Sequence, residues 1–311
     1  MNRRVPILAA ALAAVTVFSS CSTFDDTAAS VAGLHISRQS FESDLKAWES
    51  EGSQQVLAGL KLTALDGPAI DGDVARFWLG YLIRLKIGET LLADRGGVLT
   101  DADTAGLDEK LNADPSVSQL ADSLKSSVKQ ELAVAKAVQR MITAAPSPAD
   151  LEASYSADPA RTGALCLRHI LVKTLAEAQD IEALLADGGD FATLAGQHSL
   201  DTASGKAGGA LGSDTQPCTL LATLTGQFDP AFLAGALHAK PGVPTAPVKS
   251  SFGWHIILAR PFSEVSDGLS ALVATDPATA AIFAAYATTT VSVASRYGVW
   301  DAVTAKVTAG S

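Results

Sequence analysis

Few side chains in this sequence are equipped for acid–base, nucleophilic or metal chemistry: five histidines and three cysteines in 311 residues. His169 lies in the apolar run Ala164 to Val172, and His255 in the run Trp254 to Ala259. An imidazole can hold or pass a proton near neutral pH, or ligate a metal, although a single histidine beside a strand is more often a satisfied core residue. Asp201 adds a carboxylate within Ser199-Leu200-Asp201-Thr202-Ala203-Ser204. His169, Asp201 and His255 have the composition of a metal site, but their wide separation along the chain argues against one, and no metal is expected. Leu211, Phe228 and Phe232 lie in and beyond a glycine-rich stretch, Ser204 to Gly212, and read either as plain core or as an apolar socket. His35, His198 and His238 show no comparable pattern and read as structural. The acidic stretch Asp101 to Asp108 reads as a solvated helix face.

The elements that must hold these residues follow two different periods. From Ser37 to about Ala145 the pattern is helical. Ser37 can cap a helix with Phe41, Leu45 and Trp48 on one face. A second helix from about Asp73 carries Val74, Phe77, Tyr81, Leu82 and Leu85 and stops before Gly96-Gly97. Thr100 and Asp103 have the spacing of an acidic capping box. Asp114-Pro115 opens a long helix striped by Val117, Leu120, Leu124, Val128, Leu132 and Val138. Pro146-Ser147-Pro148 ends this region and starts another short helix. From Gly163 the period changes: a strand at Ala164 to Val172, helices at Leu175 to Ala186 and Phe191 to Gln197, the glycine loop, a helix near Pro230 to Leu237, and strands at Val243 to Val248 and Trp254 to Ala259. This is an α+β order. A helix at Ala278 to Ala287 and a strand at Thr290 to Ser295 follow.

Hydrophobic residues make up 48% of the chain and aromatics only 6%, which favours helices packed closely through alanine. The net charge of −10 excludes a nucleic-acid partner and disfavours electrostatic docking on anionic lipid. Membrane attachment is expected at the N-terminus instead. Arg3 and Arg4 precede an uncharged run, Val5 to Phe18, of signal-peptide length. Phe18-Ser19-Ser20-Cys21 resembles a bacterial lipobox, with Phe18 where an aliphatic residue is usual. Residues 1–21 are thus expected to be a lipoprotein signal peptide, Cys21 the lipidated residue, and 22–34 a tether. Beyond the leader no apolar run is long and unbroken enough for a transmembrane helix; Leu269 to Ala294 comes nearest, and Asp276-Pro277 interrupts it. Cys166 and Cys218 remain as a pair. In an oxidising compartment they suggest one disulfide, worth roughly 4 kcal/mol by loop entropy, with two buried thiols as the alternative.

Four stretches, taken in order, resemble the parvulin family of peptidyl-prolyl isomerases. They are Arg168-His169-Ile170-Leu171-Val172; Phe191-Ala192-Thr193-Leu194-Ala195 leading to Ser199 through Ser204; Gly208-Gly209-Ala210-Leu211-Gly212 with Phe228-Asp229-Pro230-Ala231-Phe232; and Pro247 through Ile257, containing Phe252-Gly253-Trp254-His255. Together they span about one third of the chain. The flanks resemble SurA- and PrsA-like exported foldases, through Ile36-Ser37-Arg38-Gln39-Ser40-Phe41 and Arg296-Tyr297-Gly298-Val299-Trp300-Asp301.

The resemblance implies an α+β parvulin-like domain, a small antiparallel sheet with helices at residues 163–262, inserted in a mainly helical chaperone domain. That domain would be built from residues 35–150 and a C-terminal helix and strand within 263–311. It assigns His169, His255 and Asp201 to the catalytic site. Leu211, Phe228 and Phe232 become the proline socket, Ser250 joins the histidine network, and Phe252 narrows the site. No cofactor is implied. An aspartate at position 201 speaks against obligatory thiol chemistry, and the absence of an Arg/Lys cluster after the His169 strand speaks against phosphate-directed specificity. The expected function is an extracytoplasmic, lipid-anchored prolyl isomerase and foldase acting on unfolded or proline-containing exported polypeptides. The alternative is a chaperone whose parvulin domain is weak or inactive. A lipoprotein binding small ligands is a distant third, since nothing suggests a two-lobed scaffold.

Overall fold

The computed structural model describes residues 26–62, 72–213, 215–224 and 226–310. The leader, Cys21 and its lipidation lie outside the described residues. In chain order, strands β1 (Thr27–Val31) and β2 (Leu34–Ser37) precede helices α1 (Arg38–Ala47), α2 (Glu51–Gly59) and α3 (Gly72–Ala93). Short helices α4 (Asp101–Thr104), α5 (Leu107–Ala113) and α6 (Pro115–Ser118) lead to α7 (Asp122–Met141). After α8 (Pro148–Ala157) and a 3-10 turn come β3 (Ala164–Leu165), β4 (Leu167–Val172), α9 (Leu175–Ala186), α10 (Phe191–His198) and α11 (Thr202–Lys206). Then follow β5 (Thr219–Leu220), α12 (Leu221–Leu224), α13 (Pro230–Leu237), β6 (Val248–Lys249) and β7 (Trp254–Ala259). The chain ends with α14 (Phe262–Thr275), α15 (Pro277–Thr288), β8 (Val291–Val293), β9 (Val299–Asp301) and β10 (Lys306–Thr308).

The helical body is closed by both ends of the chain. β1 is the middle strand of a three-stranded antiparallel sheet, with β2 on one side and β8 on the other. Ala28, Ala29 and Val31 are buried in the same core as Phe41, Trp48, Trp78 and Leu79. Residues 27–31 are therefore a core strand rather than part of a tether. Their small side chains let the backbone pack close to α3, and an alanine-rich strand shows no alternation that would reveal it. Trp78 stacks on Tyr81 at 4.9 Å and donates its indole N–H to Asp44 at 3.0 Å. Tyr297, from the C-terminal segment, sets its ring edge-on to Phe41 at 5.0 Å.

The long helix expected from Asp114 is two helices. Asp114 caps α6, the chain breaks at Gln119–Ala121, and α7 starts afresh at Asp122. The break is held by the buried hydroxyl of Ser53, which accepts the Ala121 N–H at 3.1 Å, while Leu120 is buried in the core. Thr100 and Asp103 form the capping box of α4. Arg140 of α7 donates to both Asp103 oxygens, at 3.1 and 2.8 Å, and these bonds hold the carboxyl well below the usual range.

The second half is built on the antiparallel order β4-β7-β6. Period-two alternation divides its side chains. Ile170, Val172, Ile256 and Leu258 pack with α9 and α10, whereas Leu167, Ile257 and Ala259 pack with α12 and α13. His169 and His255 belong to the second face. The expected single strand at Ala164 to Val172 is divided at Cys166, and of the expected strand at Val243 to Val248 only the end pairs regularly, as β6. The C-terminal segment is two helices and three strands, not one of each. Its unexpected helix, α14, covers a third core made by Leu151, Tyr155, Val265, Leu269, Val273 and the Cys166–Cys218 disulfide. Gly268 hides this helix in the sequence. It lies against Pro217, where a Cβ would meet the ring at 2.5 Å. Among the described residues no single helix is long and apolar enough to cross a membrane; α14 and α15 pass such a test only as a pair bent by 106°.

The disulfide closes a loop across 52 residues of sequence and ties β3–β4 to the segment before α12. Replacing both cysteines by serine should cost about 2–4 kcal/mol. Calorimetric unfolding should show this as a lowered Tm, and the wild type in strong reductant should behave like the variant.

Candidate active site

Strand register brings the two histidines together. His169 pairs across the β4–β7 ladder with Ile257, and His255 with Leu171, so the imidazoles are diagonal neighbours on one face. Their Nδ1 atoms lie 3.2 Å apart. His169 Nε2 lies 3.0 Å from Asp201 Oδ2 and 2.9 Å from Ser204 Oγ. His255 Nε2 lies 2.7 Å from Ser250 Oγ, which accepts the Phe252 N–H at 3.0 Å. The carboxylate is brought in by helix capping: Asp201 Oδ1 accepts the Ala203 and Ser204 amides at the start of α11, leaving Oδ2 for the histidine. Gly209 closes the floor. Its carbonyl accepts the His169 N–H at 2.8 Å, its φ is +82°, and a Cβ there would meet the His169 carbonyl at 2.6 Å.

The bonding has only one direction that satisfies every atom. Ser250 Oγ accepts the Phe252 N–H and keeps its own hydrogen for a bare His255 Nε2, a direction set from the Asp201 end of the network. The ionised Asp201 can only accept, so His169 carries its proton on Nε2. Between them, His255 Nδ1–H donates to the bare Nδ1 of His169. Both rings are neutral in this chain. Burial pushes both imidazole pKa values down, partly offset at His169 by Asp201; that of His255 falls to about 4, with repulsion from His169 as a second cause. At Asp201 burial opposes ionisation, but hydrogen bonding by Ser204 and His169 outweighs it and holds the carboxyl below its ordinary range.

An apolar wall adjoins the network. Phe232 meets His255 edge-on at 5.0 Å and His169 at 5.7 Å, and Phe228 stacks on Phe232 at 5.5 Å. Leu211 and Phe228 are half-buried against the same core as Phe232. The structure thus gathers His169, His255, Asp201, Ser250, Leu211, Phe228 and Phe232. Phe252 is 72% exposed, and its contribution to the network is its backbone amide. The metal reading finds no geometric support. The inner nitrogens of the histidines face each other, and the described residues contain no group of three or more His, Cys, Asp or Glu side chains fit to hold an ion.

Two participants escape sequence reasoning. Ser204 shares His169 Nε2 with Asp201; its signal was the Asp-x-x-Ser cap spacing. Asp229 bridges the two walls of the site. Oδ1 caps α13 through Ala231 and Phe232, and Oδ2 accepts the Ser251 amide at 3.1 Å and hydroxyl at 2.6 Å. Asp229-Pro230 signals a helix start, but nothing local signals the bond to Ser251.

Residues 169–260 match the family model described as Rotamase: PPIC-type PPIASE domain. Foldase protein PrsA of Clostridium kluyveri is 48% identical over 91 residues, 29% of this chain and 25% of that protein. Foldase protein PrsA 3 of Bacillus cereus is 33% identical over 152 residues, 47% of each chain. A solved SurA-like chaperone of Campylobacter jejuni aligns over 81% of this chain and 92% of its own at 22% identity, with a TM-score of 0.25 too low to carry an argument here. The matched region spans from a quarter to about half of the length of these two curated relatives.

One outcome follows from the neutral, buried pair. Unfolded histidines take up protons near pH 6.5 while the native ones resist, so the unfolded state binds more protons in this window. Stability should be full above pH 6.5 and fall as pH drops toward 4, read as Tm against pH; a flat profile between pH 7 and 4 would contradict the burial argument. Separately, Asp229→Ala should loosen both walls, costing about 1 kcal/mol through the lost cap alone, and denaturant unfolding would measure it.

Proposed function

With residues 169–260 forming a PPIC-type PPIase domain, we propose that the whole chain is an extracytoplasmic foldase that isomerises X-Pro bonds in exported polypeptides. The observation that carries this is the closed network Ser250–His255–His169–Asp201 lying against the Phe228–Phe232 wall. The barrier to amide rotation, about 18–20 kcal/mol, comes from resonance, and prolyl isomers interchange over roughly tens to hundreds of seconds. Lowering that barrier needs no nucleophile. Leu211, Phe228 and Phe232 take the proline ring out of water. The substrate carbonyl then lies beside Asp201, whose side chain keeps one-third of its surface exposed. A fixed negative charge there disfavours the planar form, in which the carbonyl oxygen carries resonance charge, relative to the twisted form, in which it carries less. The neutral histidines keep the carboxylate ionised and oriented without placing a competing positive charge beside it.

The location rests on three supports. The leader ends at Cys21, a lipobox cysteine fit to hold a diacylglycerol anchor. The Cys166–Cys218 disulfide suits an oxidising compartment. The net charge of −10 disfavours a nucleic-acid partner. In this reading residues 35–150 and 263–311 form the body that holds unfolded clients, and 163–262 form the catalytic insertion.

A tetrapeptide isomerisation assay on the full chain tests the activity. His169→Ala and Asp201→Ala should each lower kcat/KM by about 10²-fold. Turnover equal to the uncatalysed rate in the unsubstituted chain would favour a holding chaperone instead. Cys21→Ser should release the protein from membranes while leaving turnover unchanged; retention on membranes after signal cleavage would refute the lipid anchor.

A further inference from the structure

The proline socket is braced from behind by residues outside the matched domain. α13 is eight residues long, too short to hold its own orientation, so packing must set it. Phe232, on one side, meets the histidines. Leu233 and Leu237, on the reverse, join Leu221 and Leu224 of α12 around a cavity of about 10 Å³ whose far wall is Phe283 and Ala287 of α15 with Ala302 and Val303. That cavity holds at most about one water, so the contact is close to dry. The same helix also abuts the base of the histidine strand. Gly163 has φ +74°, and a Cβ there would collide with the Ala280 backbone, while its carbonyl accepts the Leu221 N–H at 2.8 Å. α15 therefore touches both elements that converge on the site, β3–β4 through Gly163 and α12–α13 through Phe283.

We infer that Phe283 and Val303 are positioning residues of the isomerase site, setting the angle of α13 and hence the depth of the proline socket. The inference rests on the proposed isomerase reading and extends it: the C-terminal segment is part of the catalytic unit as well as of the body. A socket binds the proline ring in ground and transition states alike, so loosening it raises KM and leaves kcat nearly unchanged. A general loss of folded protein does the reverse, lowering apparent kcat at constant KM. The two causes are thereby separable.

The experiment is steady-state isomerisation by the full chain carrying Phe283→Ala, Phe283→Leu or, from a different element on the same cavity, Val303→Ala. Phe283→Ala should raise KM about tenfold with an unaltered pH profile, since the histidine network is untouched. Phe283→Leu should recover most of that loss, and Val303→Ala should show the same direction with a smaller size. If Phe283→Ala does not fold, Val303→Ala and Phe283→Leu carry the comparison. Folded variants with wild-type KM would overturn the inference, as would a drop in kcat alone. Absence of turnover in the unsubstituted chain would instead refute the isomerase reading. The affinity of the same peptide, measured by calorimetry on wild type and variants, then decides the positioning role.

Discussion

Everything in the second half of the fold depends on one contact, two buried imidazoles facing each other through their Nδ1 atoms at 3.2 Å. Such a pair is tolerable only if one nitrogen carries a hydrogen and the other does not. Protonating both rings would place two positive charges side by side in a desolvated site, and burial has already moved both pKa values down. The remaining bonds follow from this. Asp201 must be ionised to take the outer hydrogen of His169, and Ser250 must donate to His255. The amide of Phe252 then fixes Ser250, which gives the exposed turn before β7 its part in the network.

The scaffold supplies that contact through register rather than through a dedicated loop. A one-residue slip of β4 against β7 would turn His169 onto the face packed by α9 and α10 and leave His255 behind on the other. Gly209 and Gly253 pack closely on β4, at its middle and at its C-terminal end. Each has a positive φ, and a Cβ on Gly253 would collide with the Val172 carbonyl as one on Gly209 would with that of His169. The disulfide and α14 secure the base of the same strand. The second half is thus stiff where the histidines meet, and its apolar wall, carried on a two-turn helix, is the part that needs outside support.

The chemistry was more legible in the sequence than the architecture, for a physical reason. Strand runs such as Arg168 to Val172 and Trp254 to Ala259 advertise themselves by length and branching, and glycines with positive φ mark their turns. β1 did not show, because three small buried residues carry no periodic signal; its burial as a middle strand comes from pairing with β8, more than 250 residues away, as well as with β2. The helix break at Gln119–Ala121 depends on a hydroxyl from α2, and the role of Asp229 on a turn that follows it by 22 residues. Those are tertiary decisions. Capping signals at Ser37, Ser147 and Asp190 are local, and each begins its helix in the structure.

The central claim is that the network is a neutral, one-way chain of hydrogen bonds, and nitrogen-15 NMR of the imidazoles reads it directly. Long-range proton–nitrogen correlation at pH 7 should show His169 with its hydrogen on Nε2 and His255 with its hydrogen on Nδ1, neither ring charged. An imidazolium signature at either histidine, or the opposite pair of tautomers, would contradict the account.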